Sequence, residues 1–302
     1  MLSKPEWLRV RYAQNPNTEA VEKLLVDLKL NTVCKEAHCP NCAECFSRKT
    51  ATLMIMGKNC TRNCRFCNVR NDDPQELDPG EPKRVAAAVR QLGIMYVVVT
   101  SVTRDDLPDG GASHFARTIR AIKKAAPDTV IEVLIPDFNG SLDALKTVAD
   151  AKPHVISHNM ETVRALYLTV RPKAQYESSL DLLRNIKLLN PNIYSKSGIM
   201  VGLGETKVQV YELFSDLLDV GADFLTIGQY LSPSKNHIPV HEYIEPCIFD
   251  EYGAIAREMG FKFVASAPLV RSSYHAGAAL GIKPHMGTAF GVNTHMCVGV
   301  RD

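Results

Sequence analysis

At 302 residues, 45% of them hydrophobic and 23% charged, the chain has the length of one large α/β domain or two ordinary ones and the makeup of a soluble globular protein. A formal net charge of +2 argues neither for a nucleic-acid binder nor for a membrane-surface protein. The longest apolar runs, such as residues 94–99, are strand-sized, and the charged N-terminus has no apolar h-region, so neither a transmembrane helix nor a signal peptide is expected.

In chain order, residues 1–33 predict a helical arm in which Thr18 caps a run carrying Val21, Leu24, Leu25, Leu28 and Leu30. Residues 34–49 predict a cysteine-bearing loop, with Pro40 and Asn41 set against a regular helix, and residues 50–57 read as one buried strand. Strand-like runs at 53–56, 96–100, 130–135, 154–157, 196–201, 224–227 and 262–265 then alternate with helix-like runs at 82–92, 113–126, 142–149, 161–170, 178–189, 207–220 and 248–259. Such alternation implies parallel strands joined by right-handed crossovers. Six βα units suit an incomplete barrel better than an open sheet, although periodicity alone does not separate that from a doubly wound fold.

In either architecture, functional groups gather at the carboxyl ends of the strands. The polar motifs fall there: Cys60 to Cys67 after the first strand, Thr100 and Ser101 at the second, Asn159 and Glu161 at the fourth, Gly202 and Gly204 at the fifth, Gln229 and Tyr230 at the sixth. The two glycines predict a tight turn rather than phosphate binding. Residues 232–247 read as a loop whose His237 and His241 carry no assigned role, and Cys247 reads as a buried small apolar residue.

Seven of the nine cysteines lie between residues 34 and 67, at spacings that suit metal ligation in a reducing compartment better than disulfides. Cys60, Cys64 and Cys67 form a C-x3-C-x2-C triplet, and Cys34, Cys39 and Cys45 form C-x4-C-x5-C. Thiolates are soft ligands suited to zinc or iron–sulfur clusters. Zinc prefers four protein ligands in closed sites, whereas three cysteines leave one iron of a [4Fe–4S] cluster open. Cys42 lies inside the first triplet and offers an alternative Cys39/Cys42/Cys45 set.

The C-x3-C-x2-C spacing directly after a strand resembles the radical S-adenosylmethionine (SAM) enzymes. With the first triplet ahead of it, the chain resembles the lipoyl synthases among them. The motifs that carry this are Lys4-Pro-Glu-Trp-Leu-Arg-Val-Arg11, Thr50-Ala-Thr-Leu-Met-Ile-Met-Gly57, Thr100-Ser-Val-Thr-Arg-Asp-Asp-Leu-Pro-Asp-Gly-Gly111, His158-Asn-Met-Glu-Thr162, Lys196-Ser-Gly-Ile-Met-Val-Gly-Leu-Gly-Glu-Thr206, Ile227-Gly-Gln-Tyr-Leu231 and Arg271-Ser-Ser-Tyr274.

The resemblance implies a partial (βα)6 TIM-type barrel over residues 50–266. An N-terminal extension at 1–49 would carry the auxiliary cysteines, and a C-terminal extension at 267–302 the R-S-S-Y motif. It implies a [4Fe–4S] cluster on Cys60, Cys64 and Cys67 whose open iron chelates SAM, with Phe66 beside the adenine. Thr100 and Ser101 would meet the SAM amino group, Asn159 and Glu161 the ribose and amino-acid part, and Arg171 the carboxylate. A second [4Fe–4S] cluster is implied on Cys34, Cys39, Cys45 and Ser273, with Ser272 as the alternative to Ser273.

The reaction so implied inserts two sulfur atoms, at C6 and C8 of an octanoyl chain on a carrier-domain lysine. It uses two SAM per turnover and takes sulfur from the second cluster. Implied partners are a lipoyl carrier domain (a 2-oxoacid dehydrogenase E2 subunit or glycine cleavage H protein), an electron donor such as ferredoxin or flavodoxin, and an iron–sulfur carrier, with no nucleic acid and no membrane. The expected location is the cytoplasm, with an organelle matrix as the alternative. Two other functions compete: a radical SAM enzyme whose second cluster only relays electrons, and a non-catalytic iron–sulfur or zinc protein. Two features depart from the family pattern: Cys42, where an apolar residue is usual, and a tail after Gly281 carrying Cys297 and histidines, which reads as a loose or surface-packed terminus.

Overall fold

A computed structural model describes residues 3–9 and 15–282. Its strands are β1 Asn31–Thr32, β2 Thr52–Ile55, β3 Tyr96–Ser101, β4 Val130–Leu134, β5 Val155–Ser157, β6 Tyr194–Val201, β7 Phe224–Gln229 and β8 Phe263–Ser266. They form one sheet in sequence order; β1 runs antiparallel to β2 and every later pair is parallel. The helices are α1 Pro16–Asp27, α2 Val33–Glu36, α3 Cys42–Ser47, α4 Glu81–Leu92, α5 Ala112–Ala125, α6 Leu142–Asp150, α7 Tyr167–Val170, α8 Tyr176–Leu189, α9 Lys207–Asp219 and α10 Pro246–Met259.

Alternation along β3 shows how the layers divide. Val97 and Val99 join the apolar core that holds Val85 and Val89 of α4 with Phe115 and Ile119 of α5. Val98 and Thr100 point the other way, into internal cavities. The larger of these is lined both by Met54 of β2 and by Thr226 and Gly228 of β7, strands far apart in the sheet order. The sheet therefore curls around its interior without pairing its two edges, as the incomplete-barrel expectation required. The N-terminal arm packs on the same core through Val21, Leu25 and Phe46. Among the described residues no helix is long and apolar enough to cross a membrane.

Local expectations failed where a residue's backbone was engaged elsewhere. Residues 161–170 do not form one helix. Glu161 has φ +69°, donates its N–H to Gly198 O at 3.0 Å and accepts from Met200 N at 2.9 Å, so its backbone continues the pairing with β6. Only a 3-10 turn at Arg164–Leu166 and the short α7 remain. Thr18 does not cap the arm. Asn15 does, its side chain accepting from Asn17 N at 2.9 Å with Pro16 opening the helix, and Thr18 is buried within the first turn. The cysteine segment is not all loop: it holds α2, capped by Thr32, and α3, with Pro40 and Asn41 between them. The antiparallel β1 was not anticipated.

After β8 the chain turns back across the barrel. Gln229 N donates to Pro268 O at 3.1 Å, and Asn41 Nδ2 to Leu269 O at 2.7 Å. Gly228 makes the closest passage: a Cβ there would lie 2.1 Å from Val270 O. Gly228→Ala is therefore expected to destabilise the protein by about 1–3 kcal/mol, the usual cost of overpacking, measured by chemical denaturation. An unchanged midpoint would mean that this segment does not press on β7.

Candidate active site

The larger cavity, about 610 Å³, opens among the carboxyl ends of the strands. The turn that begins its cysteine loop is built by Met56 (φ +68°) and Gly57 (φ +90°), where a Cβ would come within 2.7 Å of Gln75 Oε1. Glu81 fixes that turn, accepting Met56 N at 2.9 Å while His114 Nε2 lies 2.7 Å from the same oxygen. The loop then closes on itself, Cys60 N donating to Arg70 O at 2.7 Å. Thr103 N and Arg62 N donate to Cys60 Sγ at 3.3 and 3.5 Å and hold the side chain in place.

Arg62, within the C-x3-C spacing, is buried and donates from each of its three side-chain nitrogens. Nε and Nη2 donate to Asp105 at 2.9 and 3.0 Å, Nη1 and Nη2 to Asp137 at 2.6 and 2.7 Å, and Nη2 also to Asn139 at 2.6 Å. One guanidinium thus joins the loops after β2, β3 and β4. From the far side, Ile238 N donates to Arg65 O at 3.2 Å, and His237 sits between Ser234 Oγ (2.8 Å) and Cys67 O (3.0 Å). His237 therefore serves the loop's backbone.

Both cysteine triplets line this one cavity: Cys60, Cys64 and Cys67 together with Cys34, Cys39 and Cys45. Ser272 and Ser273 line it too, whereas Cys42 does not and packs against the outer core. The structure thus gathers the three cysteines of the x4/x5 spacing around the cavity and leaves the additional one outside. Burial pushes the Cys34 and Cys67 thiols up to about 12 and raises Cys39, Cys45 and Cys64 as well. Thiols so desolvated give up their protons to a metal centre whose charge replaces the lost hydration. Among the described residues no three His, Cys, Asp or Glu side chains form a group tight enough for a single metal ion. A cluster of several irons reaches thiolates set wider apart than one ion does.

The other predicted residues, Phe66, Thr100, Ser101, Asn159, Glu161 and Arg171, all line the same cavity. Three atoms among them, Ser101 Oγ, Asn159 Oδ1 and Arg171 Nε, are buried with no hydrogen-bond partner among the described residues. Buried polar atoms left open cost about 1–3 kcal/mol each, so the cavity is built to receive a ligand carrying complementary donors and acceptors. Thr100 differs: its hydroxyl donates to Leu134 O at 3.0 Å and can only accept from a ligand. Asn159 Nδ2 donates to Glu161 Oε1 at 3.0 Å, and burial raises the Glu161 carboxyl.

Sequence reasoning missed the chain of bonds that aims Arg171. Its Nη1 donates to Asn159 O (2.9 Å) and to Tyr167 OH (2.5 Å), and Tyr167 donates on to Ser179 Oγ (2.7 Å). Ser179 lies 3.0 Å from His158 Nε2, and His158 Nδ1 donates to Ile135 O at 2.9 Å. Burial, helped by the Arg171 charge, pulls His158 down to about 4, so the ring is neutral and this polarity is self-consistent. The invisible partner in the sequence was Ser179; His158 itself stands in a motif already singled out. Arg271 was also missed; it lines the cavity and burial pulls its guanidinium down.

Two expectations were not met or not reached. Cys247 is half-buried at the start of α10, 3.7 Å from Glu245 Oε2, and not in the core. The tail with Cys297, like residues 10 and 11 of the first motif, lies outside the described residues. His241 holds its backbone to Gly202 O at 2.9 Å, beside the open turn at Gly204.

Residues 54–217 match the family model described as the Radical SAM superfamily. The lipoyl synthase of Caldicellulosiruptor saccharolyticus is 60% identical over 273 residues, covering 90% of this chain and 96% of that protein. That of Caldanaerobacter subterraneus subsp. tengcongensis is 58% identical over 279 residues, covering 92% and 98%. Among solved structures, Streptococcus suis SuiB bound to S-adenosylmethionine is similar at a TM-score of 0.55 and 11% identity over 74% of this chain and 53% of that one. Methylornithine synthase (PylB) is similar at 0.51 and 13% over 86% and 85%. These two likenesses show the fold.

The Arg62 cluster has a pH signature. Burial alone would raise Asp105 and Asp137, but the hydrogen bonds and charge of Arg62 outweigh it and hold both carboxyls below their usual range. Their contribution is therefore present above the unfolded value of about 4 and lost as pH falls through the lower folded values. Asp137→Asn is expected to cost about 1.5–3 kcal/mol at neutral pH. In denaturation series against pH, the gap to the unsubstituted protein should close below about pH 4. A gap independent of pH would rule out ionic pairing.

Proposed function

The chain belongs to the lipoyl synthases of the radical SAM superfamily, and from that membership we propose how its residues divide one cavity between two tasks. It is an enzyme, a sulfurtransferase, and its superfamily works with a [4Fe–4S] cluster and SAM. In our reading Cys60, Cys64 and Cys67 hold that cluster, while Cys34, Cys39, Cys45 and Ser273 hold a second one. The observation that carries this is that both cysteine sets and Ser273 border one cavity together with three polar atoms that have no partner among the described residues.

Those three atoms suit the amino-acid end of SAM. Asn159 Oδ1 and Ser101 Oγ can accept from an ammonium, and Arg171 Nε can donate to a carboxylate. The hydrogen-bond chain from His158 through Tyr167 holds the Arg171 fork in one orientation before any ligand arrives. Thr100 contributes an acceptor at most, Glu161 is left for the ribose in this reading, and Phe66 offers a flat apolar face to the adenine.

The substrate is an octanoyl chain on a lipoyl carrier protein, and its carbons offer no acidic hydrogen for a general base to remove. When bound, SAM with its cluster supplies radical chemistry able to open such C–H bonds, and the second cluster supplies sulfur. The protein's share is to bring the acyl chain between the two cysteine sets, along a wall that includes Met54, Leu134, Ile199 and Met200, and to exclude water.

An octanoylated carrier peptide incubated anaerobically with reduced, reconstituted enzyme and SAM should show by mass spectrometry two hydrogens replaced by two sulfurs. SAM cleavage without sulfur in the product would replace the donor role by electron relay. The ligand set predicts that Cys42→Ala keeps about eight irons per chain, as two cubanes require, while Cys34→Ala falls to about four. Equal iron loss from both variants would place Cys42 among the ligands.

A further inference from the structure

Ser273 stands in a turn, residues 272–275, that belongs to no helix or strand. Its hydroxyl makes no hydrogen bond to any described residue. Besides the main cavity it borders a second, smaller one of about 100 Å³ shared with Cys45. Its own side chain therefore does nothing to fix its place; the residues on either side of it do.

On the preceding side, the Ser272 carbonyl accepts from Lys196 Nζ at 2.6 Å. Lys196 of β6 and Glu132 of β4 are buried inside the curled sheet, Nζ lying 2.9 and 3.1 Å from the two carboxylate oxygens. The ammonium thus spends all three donors, two on Glu132 and one on the turn. Glu132 is held in turn by Ser157 Oγ at 2.7 Å and Tyr96 OH at 2.6 Å. An ion pair so deep adds little net stability compared with apolar residues of the same shape. What an apolar pair lacks is a charged donor aimed at one carbonyl.

On the following side, Tyr274 OH lies 3.0 and 3.1 Å from the two carboxylate oxygens of Glu44, which precedes Cys45 on α3 and is paired with Arg48 at 2.9 Å. The residue before Ser273 is tied to the barrel interior, and the residue after it to the helix that carries Cys45. We infer that Lys196 and Glu44 are positioning residues that set Ser273 against the Cys34/Cys39/Cys45 set. This rests on the reading of Ser273 as the fourth ligand of the second cluster. It adds that the serine's place is dictated by two neighbours' anchors, one of them a buried lysine.

The test uses the anaerobically reconstituted enzyme, with two readouts: the rate of iron release from the second cluster to a chelator, and the Mössbauer signal of its oxygen-ligated iron. Lys196→Met/Glu132→Gln removes the anchor without stranding a buried charge; Glu44→Ala removes the other, and Glu44→Gln keeps an oxygen for Tyr274. Loss of a charge-assisted hydrogen bond predicts release about tenfold faster or more in the double variant and in Glu44→Ala, with the altered signal of Ser273→Ala. Glu44→Gln should behave as the unsubstituted protein. If Ser273→Ala itself changes neither readout, the ligand reading fails. If Ser273→Ala changes both while the anchor variants change neither, the ligand reading stands and the positioning inference is overturned. Should the double variant fail to fold, the contrast between Glu44→Ala and Glu44→Gln decides alone, its absence overturning the inference.

Discussion

One buried guanidinium holds the site's frame. Arg62 connects the cysteine loop after β2 to Asp105 after β3 and to Asp137 and Asn139 after β4, through bonds of 2.6 to 3.0 Å. Three adjacent parallel strands end at three loops, and loops have little apolar surface with which to fix one another. A charge buried among two carboxylates supplies the missing constraint: removing a partner leaves the others desolvated and unpaired, so the arrangement resists partial loosening. Because Arg62 stands two residues from Cys60 and from Cys64, that rigidity passes directly to the thiols.

The second cysteine set is organised differently. Its ligand candidates come from the two ends of the chain: Cys34, Cys39 and Cys45 from short helices and the turn between them, Ser273 from beyond β8. Neither piece has a core of its own. Asn41 reaches Leu269 O and Glu44 reaches Tyr274, joining the two pieces through polar bonds that span 228 and 230 positions of sequence, while Lys196 ties Ser272 O to the barrel. A site assembled on such bonds is rigid while they last and adjustable where one is lost.

Electrostatics joins the two halves. Desolvation raises the buried thiols, and among the cations lining the cavity Arg171 and Arg62 lower Cys64 while Arg271 lowers Cys39. Cations thus bear on both cysteine sets, and the Arg171 charge adds to burial in keeping His158 neutral.

Spacing along the chain was legible without a structure. The C-x3-C-x2-C and C-x4-C-x5-C triplets, the alternation of strands and helices, and the gathering of Ser101, Asn159 and Glu161 at strand ends are local or periodic features that a sequence displays directly. Pro16 after Asn15 was a readable cap signal that Thr18 displaced. Glu132 and Lys196 were readable as lone charges in apolar strand runs, but not as partners. What tertiary structure alone decided is which groups face each other: that Cys42 packs against the core and does not line the cavity, that Glu161 pairs with β6 instead of starting a helix, that Arg62 finds Asp137, and that Lys196 meets both Glu132 and Ser272. Those outcomes depend on the register and curl of a sheet whose strands are brought together over 64 to 76 residues. No window of neighbouring residues encodes a contact that only the closing of the whole sheet creates.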